Sequence, residues 1–318
     1  MKNNLLALLA PLVLAVASPQ SYAEAGSGAA LEIRIKADRT TLLDLAQRGA
    51  QLVAVGERGV VLFSGDGGQS WRSAQAPTDR TLTSVLFVTD KVLIAAGHGG
   101  VLLRSDDAGA NWKKLAIEQI GHDSILGLVD LGKGRMAAYG AFGMFLESSD
   151  LGVSWARHAV LGDQFDRHIS QIVVADNRLL LVGESGTLAV SPNGGESWTS
   201  LTTGYEGSYF GALALRQGAL LVYGMRGNVF RSGDGGASWQ KVAIPTTSAI
   251  NGGAVDGQGR VVLVGNNGLI AISQDNGLSF VLRHAPEGRP LAGARFVNDD
   301  SIAYVGYMAA GRVRIARD

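Results

Sequence analysis

Residues 232–239 read SGDGGASW: a serine, an aspartate two positions later, two glycines and a closing tryptophan. The pattern Ser-x-Asp-x-Gly-x-x-Trp recurs with little variation, and its copies begin at Ser64, Ser105, Ser148, Ser191, Ser232 and Ser273. Asn193 replaces the aspartate once and Phe280 replaces the tryptophan once. Successive copies start 41 or 43 residues apart. A fixed period of this length predicts a protein built from one repeated supersecondary unit.

A second motif, Gly-x-x-Gly, ends four residues before each octapeptide. The pairs are Gly56/Gly59, Gly97/Gly100, Gly140/Gly143, Gly183/Gly186, Gly224/Gly227 and Gly265/Gly268. Short apolar runs rich in β-branched residues flank them, such as LVAV before the first pair and VVLF after it, and such runs predict strands. We therefore expect a two-residue hairpin at each pair, where glycine supplies positive φ. Four short antiparallel strands per period are typical of a β-propeller blade.

The number of periods predicts the number of blades. Six complete units run from about residue 41 to residue 288, and residues 289–318 add three strand-like runs. Residues 31–38 alternate apolar and charged side chains with a period of two, which predicts an edge strand. We expect this strand to complete the last blade. The sequence thus predicts an all-β, seven-bladed β-propeller over residues 24–318, closed by its N-terminal strand.

Composition restricts the function. The 28 Lys plus Arg residues balance the 28 Asp plus Glu residues, so no global charge favours nucleic acid as a partner. Because the chain has no cysteine, it has no disulfide, no thiol nucleophile and no cysteine-ligated metal. Hydrophobic residues make up 46% and charged residues 18%, which predicts a globular protein with a large core.

The first residues predict export. Lys2 precedes an uncharged apolar run over residues 5–17, and small residues stand at Ser21 and Ala23. This order is typical of a secretory signal peptide, and the run is shorter than the roughly 20 residues of a membrane span. We expect residues 1–23 to be removed after Ala23, leaving a periplasmic or secreted protein.

The octapeptide is the Asp-box, also called the bacterial neuraminidase repeat. Six copies on blades of this length, with Gly-x-x-Gly hairpins, make the chain resemble the photosystem II assembly and stability factor family, including its relatives from non-photosynthetic bacteria. The resemblance implies a non-enzymatic scaffold, without a cofactor, that holds a membrane protein or a photosystem intermediate during assembly. For relatives from non-photosynthetic bacteria it implies a periplasmic accessory protein, with an exporter as one possible partner. We expect a monomer that does not bind nucleic acid.

The Asp-box residues are predicted to be structural. Serine and aspartate side chains at a turn bond nearby backbone donors, and the aromatic residue packs beneath the outer strand. The set comprises Ser64, Asp66, Trp71, Asp107, Trp112, Asp150, Trp155, Trp198, Asp234, Trp239 and Asp275. Because these carboxylates recur once per blade, they do not converge into a catalytic pair.

The opposite face of the propeller is the predicted binding surface. It carries the Gly-x-x-Gly turns and the connections between blades, which vary more than the Asp-boxes. Its candidate residues are Arg58, His98, His122, Asp123, Arg167, His168, Arg226 and Arg289. The spacing of the three histidines matches no compact metal motif, so no metal site is predicted.

A basic pair in the last blade is a further candidate. Arg312 and Arg314 lie on alternate positions of one predicted strand, beside Arg34 and Lys36 of the proposed closing strand. One hypothesis is that these charges meet an acidic protein surface or anionic lipid headgroups. The other is that charges on an exposed strand prevent edge-to-edge aggregation. The sequence leaves both open.

Two other functions are alternatives to the scaffold. A sialidase-like glycan hydrolase, or a glycan-binding propeller, would use Arg58, Arg167 and Arg226 with the Tyr205-Glu206 pair, but the Arg-Ile-Pro motif typical of sialidases is missing. A carrier of a small ligand or lipid would use the central channel, and the small residues near Gly211, Gly252 and Gly293 fit a channel lining and tight packing around the axis equally well. The non-enzymatic scaffold is the main prediction.

Overall fold

The computed structural model describes residues 35–162 and 164–315. These residues form seven antiparallel sheets, six of four strands and one of three, each built from consecutive strands. The first, innermost strands are β1 (Leu42–Arg48), β5 (Leu82–Phe87), β9 (Ile125–Gly132), β13 (Ile169–Ala175), β17 (Tyr209–Ala214), β21 (Ile250–Val255) and β25 (Leu291–Asn298). The second strands are β2 (Gln51–Gly56), β6 (Leu93–Gly97), β10 (Arg135–Gly140), β14 (Arg178–Gly183), β18 (Leu220–Gly224), β22 (Val261–Gly265) and β26 (Ser301–Gly306).

The outer half of each blade is shorter. The third strands are β3 (Val61–Ser64), β7 (Leu102–Ser105), β11 (Phe145–Ser148), β15 (Leu188–Ser191), β19 (Val229–Ser232), β23 (Leu269–Ser273) and β27 (Ala309–Arg314). The fourth strands are β4 (Arg72–Ala74), β8 (Lys113–Lys114), β12 (Ala156–Arg157), β16 (Thr199–Ser200), β20 (Gln240–Lys241) and β24 (Val281–His284). Each Asp-box is the turn between the third and fourth strands of its blade.

The seven sheets close into a ring. Each inner strand lies beside the inner strand of the next sheet, and β25 lies beside β1. A separate apolar cluster fills each space between neighbouring blades, and the one that joins blade 7 to blade 1 contains Leu42, Leu45, Ala303 and Val305. Burial of a Leu or Val side chain contributes about 1.5–3 kcal/mol, so these clusters hold the ring together. The predicted seven-bladed β-propeller is confirmed.

The prediction of a two-residue hairpin at Gly-x-x-Gly is wrong in detail. The turn contains three residues, as in the 3-10 turn Glu57–Gly59, and positive φ falls on Arg58 (54°) and Gly59 (71°). Gly56 has extended backbone (φ −171°), but a Cβ there would lie 1.9 Å from the carbonyl oxygen of Thr41. The incoming chain approaches so closely because Glu57 N donates a hydrogen bond to that same oxygen.

This close approach recurs at the end of every second strand. The other glycines that face a backbone oxygen in this way are Gly97, Gly140, Gly183, Gly224, Gly265 and, in the last blade, Gly306. The remaining turns of 3-10 type at these tips are His98–Gly100, Ala141–Gly143, Met225–Gly227 and Asn266–Gly268. Three further 3-10 turns lie elsewhere: Ala37–Arg39, Glu118–Ile120 and Arg216–Gly218.

The predicted closing strand is only partly described. Residues 31–34 lie outside the described residues, as does the proposed signal peptide, residues 1–23. At the other end of the predicted strand, Ala37–Arg39 is a 3-10 turn rather than a strand. Ile35 and Ala37 nevertheless pack into the cluster between blades 7 and 1. Within the described chain no helix has the length and hydropathy that a membrane span requires.

Strand direction divides the loops between two faces. The GxxG face carries the turns between second and third strands and the connections from one blade to the next. The Asp-box face carries the turns between first and second strands and the Asp-boxes. The two faces therefore offer different chemistry to a partner.

Candidate functional site

The Asp-box side chains bond within their own turns. In the first copy, Ser64 Oγ donates to Asp66 Oδ1 at 2.7 Å and accepts from Gly68 N at 2.8 Å. Asp66 Oδ1 also accepts from Ser70 N at 3.0 Å. In the fourth copy, Asn193 Oδ1 accepts from Ser197 N at 3.0 Å. These bonds satisfy the backbone donors of a tight turn.

The same bonds stabilise the charged carboxylates. The hydrogen bond from the Ser70 side chain, together with those from Ser70 N and Ser64, holds the pKa of Asp66 well below its ordinary value. Partial burial raises the pKa of Asp150, but the hydrogen bonds from Ser154 and Ser148 outweigh this and lower it to about 2. The Asp-box carboxylates are therefore anionic at neutral pH, and each serves its own blade.

The aromatic residues close the motif. The indole Nε1 of Trp112 donates to Gly109 O at 3.1 Å, and equivalent bonds join Trp155 to Gly152 and Trp239 to Gly236. Trp71 and Trp198 are half-buried at the same place in their blades.

Three Asp-boxes accept a hydrogen bond from an arginine of the preceding blade. The fourth residue of the box accepts a hydrogen bond through its carbonyl oxygen in three such pairs: Arg104 with Leu151, Arg178 with Gly235 and Arg231 with Asn276. The fourth residue of the first box is Gly67, and a Cβ there would lie 3.6 Å from Arg312 Nη1. Arg312 is thus located at the joint between blades 7 and 1, on the Asp-box side.

Arg314 has a different environment. Its side chain is exposed on β27, and its carbonyl oxygen accepts a hydrogen bond from Arg283 Nη1 at 3.3 Å. Both arginines of the predicted basic pair are exposed, and they differ in that Arg312 lies beside an Asp-box glycine.

The other candidate residues all lie on the GxxG face. Arg58 and Arg226 occupy the same exposed tip position in blades 1 and 5, with φ of 54° and 57°. His98 Nδ1 lies 3.0 Å from Ser124 Oγ. Exposed His122 and half-buried Asp123 lie beside it in the connection from blade 2 to blade 3.

Two candidates meet between blades 3 and 4. Arg167 Nη1 donates to Ser185 O at 3.0 Å, and His168 Nδ1 lies 3.4 Å from Glu184 Oε1. The ring of Phe142 packs edge-on against His168, with centroids 5.3 Å apart. In the last connection, Arg289 Nη1 donates to Met308 O at 2.6 Å. Arg167 and Arg289 thus bond backbone carbonyls of neighbouring tips, and at least two blades separate Arg58 from Arg226.

Three exposed apolar side chains on this face are not among the residues predicted from the sequence. Phe142, Met225 and Tyr307 are exposed by 56%, 38% and 54% at the tips of blades 3, 5 and 7. Phe142 also has positive φ (53°), which is strained for a bulky residue. Phe142 and Met225 lie between the two tip glycines of their blades, and Tyr307 directly follows Gly306. The sequence feature that marks them is a large apolar residue at a turn position where polar residues are favoured.

The residues considered for a sialidase do not form one cluster, since Arg58, Arg167 and Arg226 lie at three different places around the GxxG face. The hydroxyl of Tyr205 donates to Met225 O at 3.3 Å, and its ring packs on Tyr209 and Phe230. Tyr209 itself is fully buried. Within residues 35–162 and 164–315, no group of three or more His, Asp or Glu side chains is arranged to hold a metal ion.

Comparison with known proteins agrees with this architecture. The family described as photosynthesis system II assembly factor YCF48 matches residues 29–136 and 137–280. A solved structure described as YCF48 bound to D1 peptide aligns with a TM-score of 0.73 at 17% identity, over 90% of this chain and 94% of the other. YCF48 from Cyanidioschyzon merolae aligns with a TM-score of 0.69 at 15% identity, over 86% and 95%.

The fold itself is shared more widely. The computationally designed Ika8 protein aligns with a TM-score of 0.66 at 14% identity, over 89% of this chain and 98% of the other. A search of curated proteins finds no match. Since the two matched segments span most of the sequence and all six Asp-boxes, the chain belongs to the YCF48 family of photosystem II assembly factors.

Proposed function

We propose that this protein is an exported, non-enzymatic scaffold that binds a segment of a membrane protein or membrane complex during its assembly or transport. Family membership carries the proposal, since the family is one of assembly factors. A solved relative is described as bound to a D1 peptide, which supports a protein segment as the ligand. A photosystem intermediate and an exporter are the two partner classes that the proposal covers.

The GxxG face has the chemistry of a protein-binding surface. It exposes Phe142, Met225 and Tyr307 at the tips of alternate blades, together with the arginines at positions 58 and 226. Aromatic residues, methionine and arginine are enriched where proteins bind one another. The turn gives this tip position a positive φ in other blades too, including Arg58 and Arg226, and a bulky phenylalanine is not a residue that such a backbone favours.

Export is part of the proposal. The basic, apolar and small-residue order of residues 1–23 supports a cleaved signal peptide and a periplasmic or secreted protein. In that compartment the partner would present a segment outside the membrane. The backbone bond and ring packing of Tyr205 support the non-enzymatic assignment over a sialidase-like hydrolase.

Co-purification from native membranes tests the proposal. The tagged mature protein is crosslinked mildly and its partners are identified by mass spectrometry, beside a Phe142→Ala/Tyr307→Ala variant. The matched control is Val153→Ala/Leu278→Ala, since these side chains are 59% and 62% exposed on the Asp-box face. We expect one recurrent integral membrane protein that the GxxG-face variant loses by 10-fold or more and the control retains. Absence of a recurrent membrane protein, or equal loss in both variants, contradicts the proposal.

Arg314 provides a separate arm for the basic surface. Reversing Arg312 would also disturb the joint at Gly67, so Arg314→Glu alone reports on docking. If anionic lipid attracts this strand, binding to phosphatidylglycerol vesicles falls in Arg314→Glu and with added salt. Vesicle binding that is the same in Arg314→Glu and at higher salt contradicts a lipid role for this residue.

A further inference from the structure

A cavity of about 360 Å³ lies on the axis of the propeller, where all seven inner strands contribute to its wall. Most of its lining is polar and includes Thr83, Tyr139, Gln171, Tyr223 and Asn251, and Leu43 and Phe210 add apolar surface. Small residues of blades 6 and 7 also line it: Gly252, Gly253, Ala292 and Gly293. The lining residues include only one cation, Arg295, and one anion, Asp44.

Arg295 breaks a sevenfold pattern. It is the fifth residue of its inner strand, and the fifth residues of the other six strands are all aliphatic: Ala46, Leu86, Val129, Val173, Leu213 and Ala254. In those blades the side chain packs towards the next blade. Partial removal of a guanidinium from water is unfavourable in free energy. Packing does not require it, because the other six blades have an aliphatic residue at this position.

The guanidinium is incompletely bonded. Arg295 Nη1 donates to Ala294 O at 2.8 Å. Its Nη2 lies 3.9 Å from Asp44 Oδ1, which is beyond hydrogen-bonding distance, and the side chain is 31% exposed. Arginine carries five N–H donors, so most of them have no acceptor within the described part of the chain.

Asp44 is already occupied by other donors. Its Oδ1 accepts from Leu45 N at 2.7 Å, and its Oδ2 accepts from Ser84 Oγ and Val85 N at 2.9 Å each. Asp44 therefore joins blades 1 and 2 and attracts the guanidinium without bonding it. This arrangement positions Arg295 and leaves its N–H groups for another acceptor.

A second donor faces the same space. Gln171 Oε1 accepts from Ala212 N at 2.8 Å, so its carbonyl end is fixed between blades 4 and 5. The amide nitrogen of Gln171, which lines the cavity, is then the end available to an acceptor.

We propose that the central cavity binds a small organic carboxylate, with its carboxylate on Arg295 and its hydrocarbon part beside Leu43 and Phe210. A planar guanidinium pairs with a carboxylate through two parallel hydrogen bonds. Leu43 and Phe210 offer contacts to the hydrocarbon part of an organic acid, which inorganic phosphate lacks.

The competing explanation is purely structural: Arg295 and Asp44 attract each other and help to close blade 7 on blade 1. It predicts no ligand and only a loss of stability on mutation. The proposed site is independent of partner binding on the GxxG face, so either proposal can fail alone.

Calorimetry and thermal unfolding of the mature protein test the site with benzoate, succinate and inorganic phosphate at constant ionic strength. We expect benzoate or succinate to bind with a Kd of 1 mM or below and to raise the Tm. Arg295→Gln should weaken that binding at least 10-fold, and the surface control Arg226→Gln should leave it unchanged. No binding at 10 mM, equal binding of phosphate, or equal affinity in Arg295→Gln overturns the proposal.

A measurement on the unmutated protein covers the case in which Arg295→Gln does not fold. Phenylglyoxal modifies accessible arginines, and peptide mass spectrometry locates the product. Benzoate should slow modification of Arg295 at least fivefold and leave that of Arg226 unchanged. Equal protection at both arginines, or none at Arg295, rejects the carboxylate site.

Discussion

The fourth Asp-box shows which part of an aspartate the turn requires. Asn193 keeps the oxygen that accepts from Ser191 Oγ and Ser197 N, both at 3.0 Å, and the turn retains its form. The geometry therefore needs an acceptor, whereas charge adds a dependence on pH. Aspartate in the other boxes couples folding to carboxylate ionisation.

We predict that this coupling is visible in acid. Because the pKa of Asp150 is about 2 in the folded state and 3.8 ordinarily, its contribution is complete above pH 4 and is lost as the pH falls towards 2. Asp150→Asn should therefore flatten the fall in Tm between pH 4 and pH 2 while changing stability at pH 7 by less than about 1 kcal/mol. Thermal unfolding followed by circular dichroism measures this, and Asn193→Asp should steepen the same fall. Parallel curves for all three proteins would contradict the coupling.

At the scale of the strand and turn, the Gly-x-x-Gly motif combines two separate requirements. Its second glycine, such as Gly59, has positive φ. Its first, such as Gly56, leaves room for the backbone of the chain entering the same blade. The spacing is therefore set by a contact between the tip and the entering chain as well as by the turn.

We predict that Gly56→Ala destabilises the protein by about 2 kcal/mol or more, because its Cβ would lie 1.9 Å from Thr41 O and the backbone must move. Gly65→Ala is the matched control in the same blade, with no atom within 4 Å of its Cβ. Urea unfolding of both variants measures the difference. If the two variants unfold at the same urea concentration, the close approach is not a constraint on this position.

At the scale of the whole molecule, ring closure determines cooperativity. Blade 7 meets blade 1 through an apolar cluster and through Arg312 beside Gly67. A propeller whose blades contact only their neighbours gains stability when the first and last blades also meet. The joint between the ends of the chain should thus affect all seven blades.

We predict that Leu45→Ala, at a fully buried position in this closing cluster, lowers the stability of the whole protein by about 2–5 kcal/mol in a single transition. Val281→Ala, which removes a side chain that is 68% exposed, should change stability by less than about 0.5 kcal/mol. Calorimetry distinguishes one transition from several. A separate low-temperature transition in Leu45→Ala would show that the closing blades unfold independently.

The surface was less predictable than the fold. Exposed side chains leave no periodic pattern, because no packing constraint acts on them. The candidate residues on the GxxG face were chosen by position and polarity, and their role stays a prediction. Phe142 and Tyr307 became candidates only once their exposure was known. Arg312 and Arg314 appeared equivalent from their alternation, yet only one of them lies against an Asp-box.

The sequence by itself determined the seven-bladed ring, because each blade repeats the same local turn chemistry and the same apolar strand pattern at a fixed spacing. These signals are local, and they depend only on residues that are close in the chain. Tertiary structure alone decided the contacts between separate strands: the arginine bonds to neighbouring Asp-boxes, the close approach at Gly56, and the cavity at Arg295. Those features join residues that are 15 or more positions apart in the chain, where spacing gives no information about distance.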